Sequence, residues 1–171
     1  MPSPLSDPVL LDDLLLYRMG RFVSTAGHMV IRLCEGGWGI TRREWRVIAL
    51  LGQEDGLMSS TLAERIQLDR ARTSRAVSSL VEKKLVRRAT GEADRRQALL
   101  SLTAEGRAVY DGLMPRVRAI NREILSVLTP AEVGQLDGAL ERLQAQAARM
   151  AAQMPLPKAD RRRGPSGRRR A

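Results

Sequence analysis

The chain has 171 residues, 43 % hydrophobic and 3 % aromatic, with a formal net charge of +10. That length allows one compact domain or two small intertwined ones; so few aromatics argue against a stacking platform for single-stranded nucleic acid, and the positive balance favours a polyanion such as DNA. Cys34 is the one cysteine, which excludes an intrachain disulfide and fits a reducing compartment. The longest uncharged apolar-rich run, Phe22 to Ile31, is shorter than the roughly 20 residues a bilayer span needs. The expectation is a cytoplasmic protein with no membrane contact.

In chain order, Pro2, Pro4 and Pro8 predict a flexible arm over residues 1–9. From Leu10 to Glu35 the pattern is helical: Leu15, Met19, Phe22, Ala26, Met29 and Leu33 recur at steps of three and four and share one face. Gly36-Gly37 is the expected stop. Thr41-Arg-Arg-Glu44 is a capping box, opening a short helix through Trp45, Val47, Ile48, Leu50 and Leu51 that stops at Gly52. After a turn at Gln53 to Gly56, Ser59 or Ser60 is expected to cap a third helix. Asp69 is expected to cap a fourth, running to about Lys84.

Two strand-like runs follow, Leu85 to Ala89 and Ala98 to Leu102, with the polar stretch Thr90 to Gln97 as a projecting tip. Thr103 caps a long fifth helix reaching Leu128, with Pro115 inside it. Thr129-Pro-Ala-Glu132 is a second capping box, with proline at the first helical position. The sixth helix carries Val133, Leu136, Leu140, Leu143 and Ala147 at heptad-like spacing. Residues 155–171 are rich in Pro, Gly and Arg and are expected to form a disordered basic tail.

Three short helices followed by a hairpin predict a mainly α fold with a small β-hairpin wing, a winged helix-turn-helix spanning residues 38–103. On the wheel of the fourth helix, Thr73, Ala76, Val77, Leu80 and Val81 form the buried arc. Ala71, Arg72, Ser74, Arg75, Ser78 and Ser79 lie outside it, and Arg70 stands at its start. Small polar residues permit close approach to a groove and arginines can fork onto guanine. At the wing tip, Arg95 or Arg96 can enter a narrow minor groove, with Asp94 holding such an arginine in place. A solvated helix face is the bland alternative for the fourth helix.

DRRQALLSLT, from Asp94 to Thr103, fits the Asp-x-Arg-x-x-x-Leu-x-Leu-Thr signature of MarR/SlyA-type regulators, and the chain resembles that family. The resemblance extends over LAERIQLDRARTSRAVSSLVEKKLVRR before the signature and AEGRAVY after it, and more loosely over about residues 10 to 154. It implies a homodimer built from the first and last two helices, here residues 10–36 and 104–154. It implies binding to pseudo-palindromic double-stranded DNA operators, repression as the commoner mode, Arg96 in the minor groove and Asp94 as its support. Lys84 departs from the pattern, since the family usually has Gly before the first wing strand.

The resemblance also implies release by a small aromatic carboxylate, with nicotinate-like acids among the candidates. Tyr17, Arg21, Ser24 and His28 share a stripe on the first helix, with Arg18 at its flank, and this set could anchor a carboxylate; the same stripe could simply face water. Cys34 has no obvious basic neighbour to lower its pKa, which disfavours a redox-sensing thiol. One His and one Cys make neither a closed zinc site nor a convincing catalytic dyad. Neither a metal, a cofactor nor an enzymatic activity is expected. The competing reading is a nonspecific architectural DNA-binding protein, favoured by the basic tail.

Overall fold

The computed structural model describes residues 3–66, 68–91 and 94–155, and for residues 90, 91 and 94–97 the backbone alone. The chain divides into two units, residues 1–124 and 125–171. The first opens with a turn of 3-10 helix at Leu11–Asp13, where the Asp13 carboxylate accepts the amides of Val9 and Leu10 at 3.1 and 2.8 Å. Helix α1 follows at Leu15–Trp38. It runs straight through Gly36-Gly37, which corrects the expected stop. Glycine weakens a helix by roughly 0.5–1 kcal/mol relative to alanine without compelling it to end. The turn out of α1 falls at Gly39, whose φ of 62° needs the left-handed region. Holding the helix through the pair, Trp38 lies on the bare face of Gly112, where a Cβ would collide with its ring.

Helix α2 (Arg42–Gln53) starts where its capping box places it: Glu44 N–H donates to Thr41 Oγ1 at 3.2 Å, and the Thr41 amide donates to Glu44 Oε2 at 2.6 Å. Trp45, Val47, Ile48 and Leu51 fill the core from one side of this helix. Strand β1 (Leu57–Met58) then precedes α3 (Ser59–Arg65). Neither Ser59 nor Ser60 caps α3. The cap position is Met58, held extended by pairing with Leu99, so both serines already lie inside the helix.

Helix α4 (Arg70–Glu82) begins as expected, with Asp69 accepting the Arg72 amide at 2.8 Å. Its end is two residues earlier than Lys84. Strands β2 (Val86–Gly91) and β3 (Asp94–Leu102) form the wing, and the sheet order is β1-β3-β2, all antiparallel. The hairpin is longer than expected: pairing continues to Gly91 opposite Asp94, with an irregularity between Ala89 and Gly91. Of the stretch expected to be a projecting tip, residues 90, 91 and 94–97 are therefore strand. Helix α5 (Ala104–Leu125), with Pro115 inside it, stops three residues short of Leu128.

One core joins these pieces of the first unit: Ile40, Ile48, Leu51, Leu62, Leu80, Leu100 and Leu113 are each at most 1 % exposed. Trp45 stacks on Tyr110, and Arg107 lies over the same ring while donating to the Gly52 carbonyl at 2.7 Å. The second unit is α6 (Pro130–Gln153), opened by the Thr129/Glu132 capping box with Pro130 in the first turn. It buries no residue of its own, and Leu136, Leu140 and Leu143 stay exposed. Among the described residues, no helix is long and apolar enough to cross a membrane. The basic tail beyond Pro155 lies outside the described residues.

Candidate nucleic-acid interface

Helix α4 presents two unlike faces. Thr73, Ala76, Val77 and Leu80 are buried, and Thr73 Oγ1 donates to the Asp69 carbonyl at 3.1 Å, so this polar residue is satisfied inside the core. Arg70, Ala71, Arg72, Ser74 and Arg75 are exposed. The Arg72 guanidinium reaches back to Asp69 at 3.1 Å, and Arg75 Nε donates to the Ala71 carbonyl at 3.3 Å. Both arginines thus lie along the helix surface, with most of their donors uncommitted among the described residues.

Ser78 and Ser79 are only half exposed. Ser78 Oγ accepts from Arg88 on β2 at 3.2 Å, which ties α4 to the wing. Ser79 leaves the outward arc altogether: its hydroxyl donates to Glu44 Oε1 at 2.6 Å. That contact spans 35 residues, which a helical wheel cannot see. Arg88 escaped the sequence reading, although the Arg87-Arg88 pair in the first wing run was its signal. It lines an open cleft of about 330 Å³ with Ser59, Ser60 and Ser74, between α3, α4 and the wing. The backbone of Asp94, Arg95 and Arg96 belongs to β3; their side chains lie outside the described residues.

What fixes α4 is a buried polar knot. Glu44 is 3 % exposed. Lys83 Nζ donates to both its oxygens at 3.0 Å and to the Gly39 carbonyl at 2.9 Å. The end of α1, the start of α2 and the last turns of α4 are thereby joined at one ammonium. Burial pushes the Glu44 carboxyl up, but hydrogen bonds from Ser79, the Thr41 amide and Lys83 outweigh it and hold it below the ordinary value.

The wing is set by a second junction. Lys84 has a φ of 59°, so it occupies the left-handed position itself. The Lys84 amide donates to Val81 and the Leu85 amide to Leu80, at 3.0 and 2.9 Å, which completes a Schellman turn without glycine. Thr103 Oγ1 donates to the Lys84 carbonyl at 2.7 Å and accepts the Gly106 amide at 3.0 Å, capping α5 against the same turn. A Cβ on Gly106 would strike the Leu85 carbonyl. Glycine is what lets α5 approach the base of the wing.

Tyr17, Arg18, Arg21 and His28 all lie on α1 and are exposed. Arg21 already donates to Asp12 at 2.8 Å, so a carboxylate there would compete with an acid in place. Cys34 is fully buried, and burial pushes its thiol up to about 11, with Glu35 adding to the rise. It behaves as a small core residue. Among the described residues, no group of three His, Cys, Asp or Glu side chains could hold a metal ion.

The fold recurs in known proteins. A model of the MarR family matches residues 38–97. The chain is 31 % identical to a transcriptional regulatory protein proposed for the hcr operon of Thauera aromatica, over 63 % of this chain and 65 % of that one. It is 33 % identical to the transcriptional repressor MdtR of Bacillus subtilis, over 57 % of this chain and 63 % of that one. It therefore spans a little under two thirds of the length of either relative. The crystal structure of the transcriptional regulator PcaV from Streptomyces coelicolor, in complex with its natural ligand, superimposes with a TM-score of 0.69 at 26 % identity, covering 81 % of this chain and 97 % of that one.

Proposed function

From its likeness to the MarR family over residues 38–97, we propose that the chain is a MarR-type winged-helix protein and a sequence-specific DNA-binding transcriptional regulator, working as a homodimer on pseudo-palindromic operators. One observation carries the reading. Helix α4 is locked by its cap at Asp69, its buried arc and the Glu44–Lys83 knot, while Arg72, Ser74 and Arg75 face outward. A rigid helix with an outward edge of arginine and small polar residues suits the major groove. Arg70 adds charge at the leading end and Ser78 lies at the wing side. Arg96 is assigned to the minor groove on the signature alone, with Arg95 beside it and Asp94 as its support. Repression is the mode supported by the likeness to MdtR.

Release by a small aromatic carboxylate, nicotinate-like acids included, is part of the same reading. It rests on the family resemblance and on the exposed set Tyr17, Arg18, Arg21 and His28, with Arg21 exchanging Asp12 for the ligand. The alternative, a nonspecific architectural protein, draws its support from the basic tail.

Affinity against single-base variants of a bound duplex, at fixed salt, separates the two. Arg75→Ala is expected to cost roughly 1–3 kcal/mol at one or two base pairs and to relax preference there. Arg75→Lys restores little, because lysine keeps the charge but not the fork. Arg96→Ala weakens the operator flanks, where groove width matters. Uniform losses across the panel, with Arg75→Lys behaving like the parent, would establish the architectural alternative instead.

A further inference from the structure

Resting on the DNA-binding reading above, we propose that the first two turns of α2 form a phosphate clamp, in which Arg43 and Arg46 grip the DNA backbone beside the recognition helix. Arg42, Arg43 and Arg46 line an open cleft of about 380 Å³ together with Glu35, Thr41 and Leu68. Leu68 immediately precedes Asp69, the cap of α4, so the cleft opens next to the leading end of that helix. Arg43 also borders a second cleft, of about 440 Å³, whose other walls include Arg72, Arg75 and Ser79. One guanidinium is thus common to both hollows. Basic surface runs from Arg46 across Arg43 onto the base-reading face.

The charges on this strip are not spent inside the protein. Arg21, Arg65 and Arg72 pair with Asp12, Glu54 and Asp69, whereas Arg42, Arg43 and Arg46 make no ion pair among the described residues. Glu44, the single acid between Arg42 and Arg46, is turned inward and held by Ser79 and Lys83. The knot that fixes α4 therefore also draws the nearest carboxylate on α2 away from the strip, leaving Glu35 of α1 as the acid in the cleft. Arg42 is half-buried, its Nη1 lying 2.7 Å from where a Cβ on Gly27 would sit, and forms the cleft wall. Arg43 and Arg46 are exposed and free to reach outward.

Guanidinium groups beside a recognition helix, rather than on it, meet phosphate oxygens, which fix register and carry no sequence information. A free carboxylate shares that chemistry. The continuity of the strip with Arg72 and Arg75, and the acid Glu35 in the cleft, favour an extended polyanion over a small anion.

The test is fluorescence anisotropy of the full chain on two duplexes: one selected by the parent protein from a randomised pool, and a scrambled one. Salt is varied over roughly 50–200 mM. The double variant Arg43→Ala/Arg46→Ala is expected to lose about 10-fold on both duplexes alike, and its log affinity against log salt is expected to flatten by about 0.9 per arginine removed. Arg43→Lys/Arg46→Lys recovers the slope. Arg116→Ala/Arg118→Ala, the same charge loss at exposed positions of α5, leaves it unchanged. Both α2 arginines are exposed, so an unchanged melting temperature confirms folding. An unchanged slope, or an altered base preference in the double variant, overturns the clamp. If an unchanged slope comes with loss of release by benzoate, the cleft takes a small anion instead. A parent protein that binds neither duplex brings down the DNA-binding reading itself.

Discussion

At the scale of single residues, Glu44 bears the most structural consequence. It caps α2, accepts from Ser79 on α4 and receives the Lys83 ammonium, all from a buried position. Its pKa is held below the ordinary value in the folded chain. The carboxylate therefore contributes stability above the unfolded pKa, and that contribution is lost as pH falls through the lower, folded one. The parent protein is expected to lose stability as pH drops below about 4.3, the ordinary glutamate value. Glu44→Gln removes this part of the pH dependence. At pH 7 it costs about 1–3 kcal/mol, since hydrogen bonds to a charged acceptor are replaced by bonds to a neutral one. Urea denaturation of both proteins from neutral to acid pH measures it. Parallel stability–pH curves for the two would mean that Glu44 is not a source of the acid sensitivity. Cys34, the other buried titratable group among the described residues, stays a thiol because burial raises its pKa.

At the scale of elements, the starts of α2, α4, α5 and α6 were legible, those of α1 and α3 were not, and the ends of α1 and α5 fell away from where they were expected. Thr41, Asp69, Thr103 and Thr129 each cap where their side chains suggest, because a cap is a local bond within three residues. Gly36-Gly37 misled because the end of α1 is decided by the packing of Trp38 on Gly112, which lies far along the chain. The two-residue strand β1 is too short for any periodicity, and exists because β3 offers it partners at Leu99 and Leu100. Of the interface, the outward Arg72, Ser74 and Arg75 could be read from the wheel. The engagement of Ser79 and Ser78 could not, since Glu44 and Arg88 reach them through the fold.

Lys84 tests this at an element boundary. A left-handed non-glycine residue costs roughly 1–2 kcal/mol, while glycine restores about 0.4–1 kcal/mol of unfolded-chain freedom. Lys84→Gly should therefore stabilise by up to about 1 kcal/mol, a rise in Tm of roughly 2–4 °C for a chain of this size. Lys84→Ala keeps the Cβ and should give no such rise. Equal melting temperatures for Lys84→Gly and the parent would show that the strain at this position is no larger than the chain freedom glycine restores.

At the scale of the whole molecule, the unresolved account is that of apolar surface. In the first unit Leu15, Met19, Phe22 and Met29 of α1 are between 36 % and 51 % exposed; in the second, Leu136, Leu140, Leu143 and Met150 of α6 are between 40 % and 45 % exposed. Covering a side chain that is already half hidden contributes about 1 kcal/mol. Four such residues from α6 on each of two copies supply about 8 kcal/mol. Association costs about 4–15 kcal/mol, so α6 alone makes at best a weak pair, and a tight dimer must also cover the α1 face. We therefore expect a dimer at micromolar concentration, broken by Leu140→Glu, which sets a charge in the middle of the α6 stripe. Helix α4, the proposed recognition helix, belongs to the other unit, so this variant should keep its half-site affinity. It loses the gain from engaging both halves of a palindrome at once, which linkage of two sites makes worth about 100-fold or more. Sedimentation equilibrium reads the first effect, and anisotropy on whole and half palindromes reads the second. A parent protein that sediments as a monomer yet binds the palindrome tightly would refute the dimeric architecture.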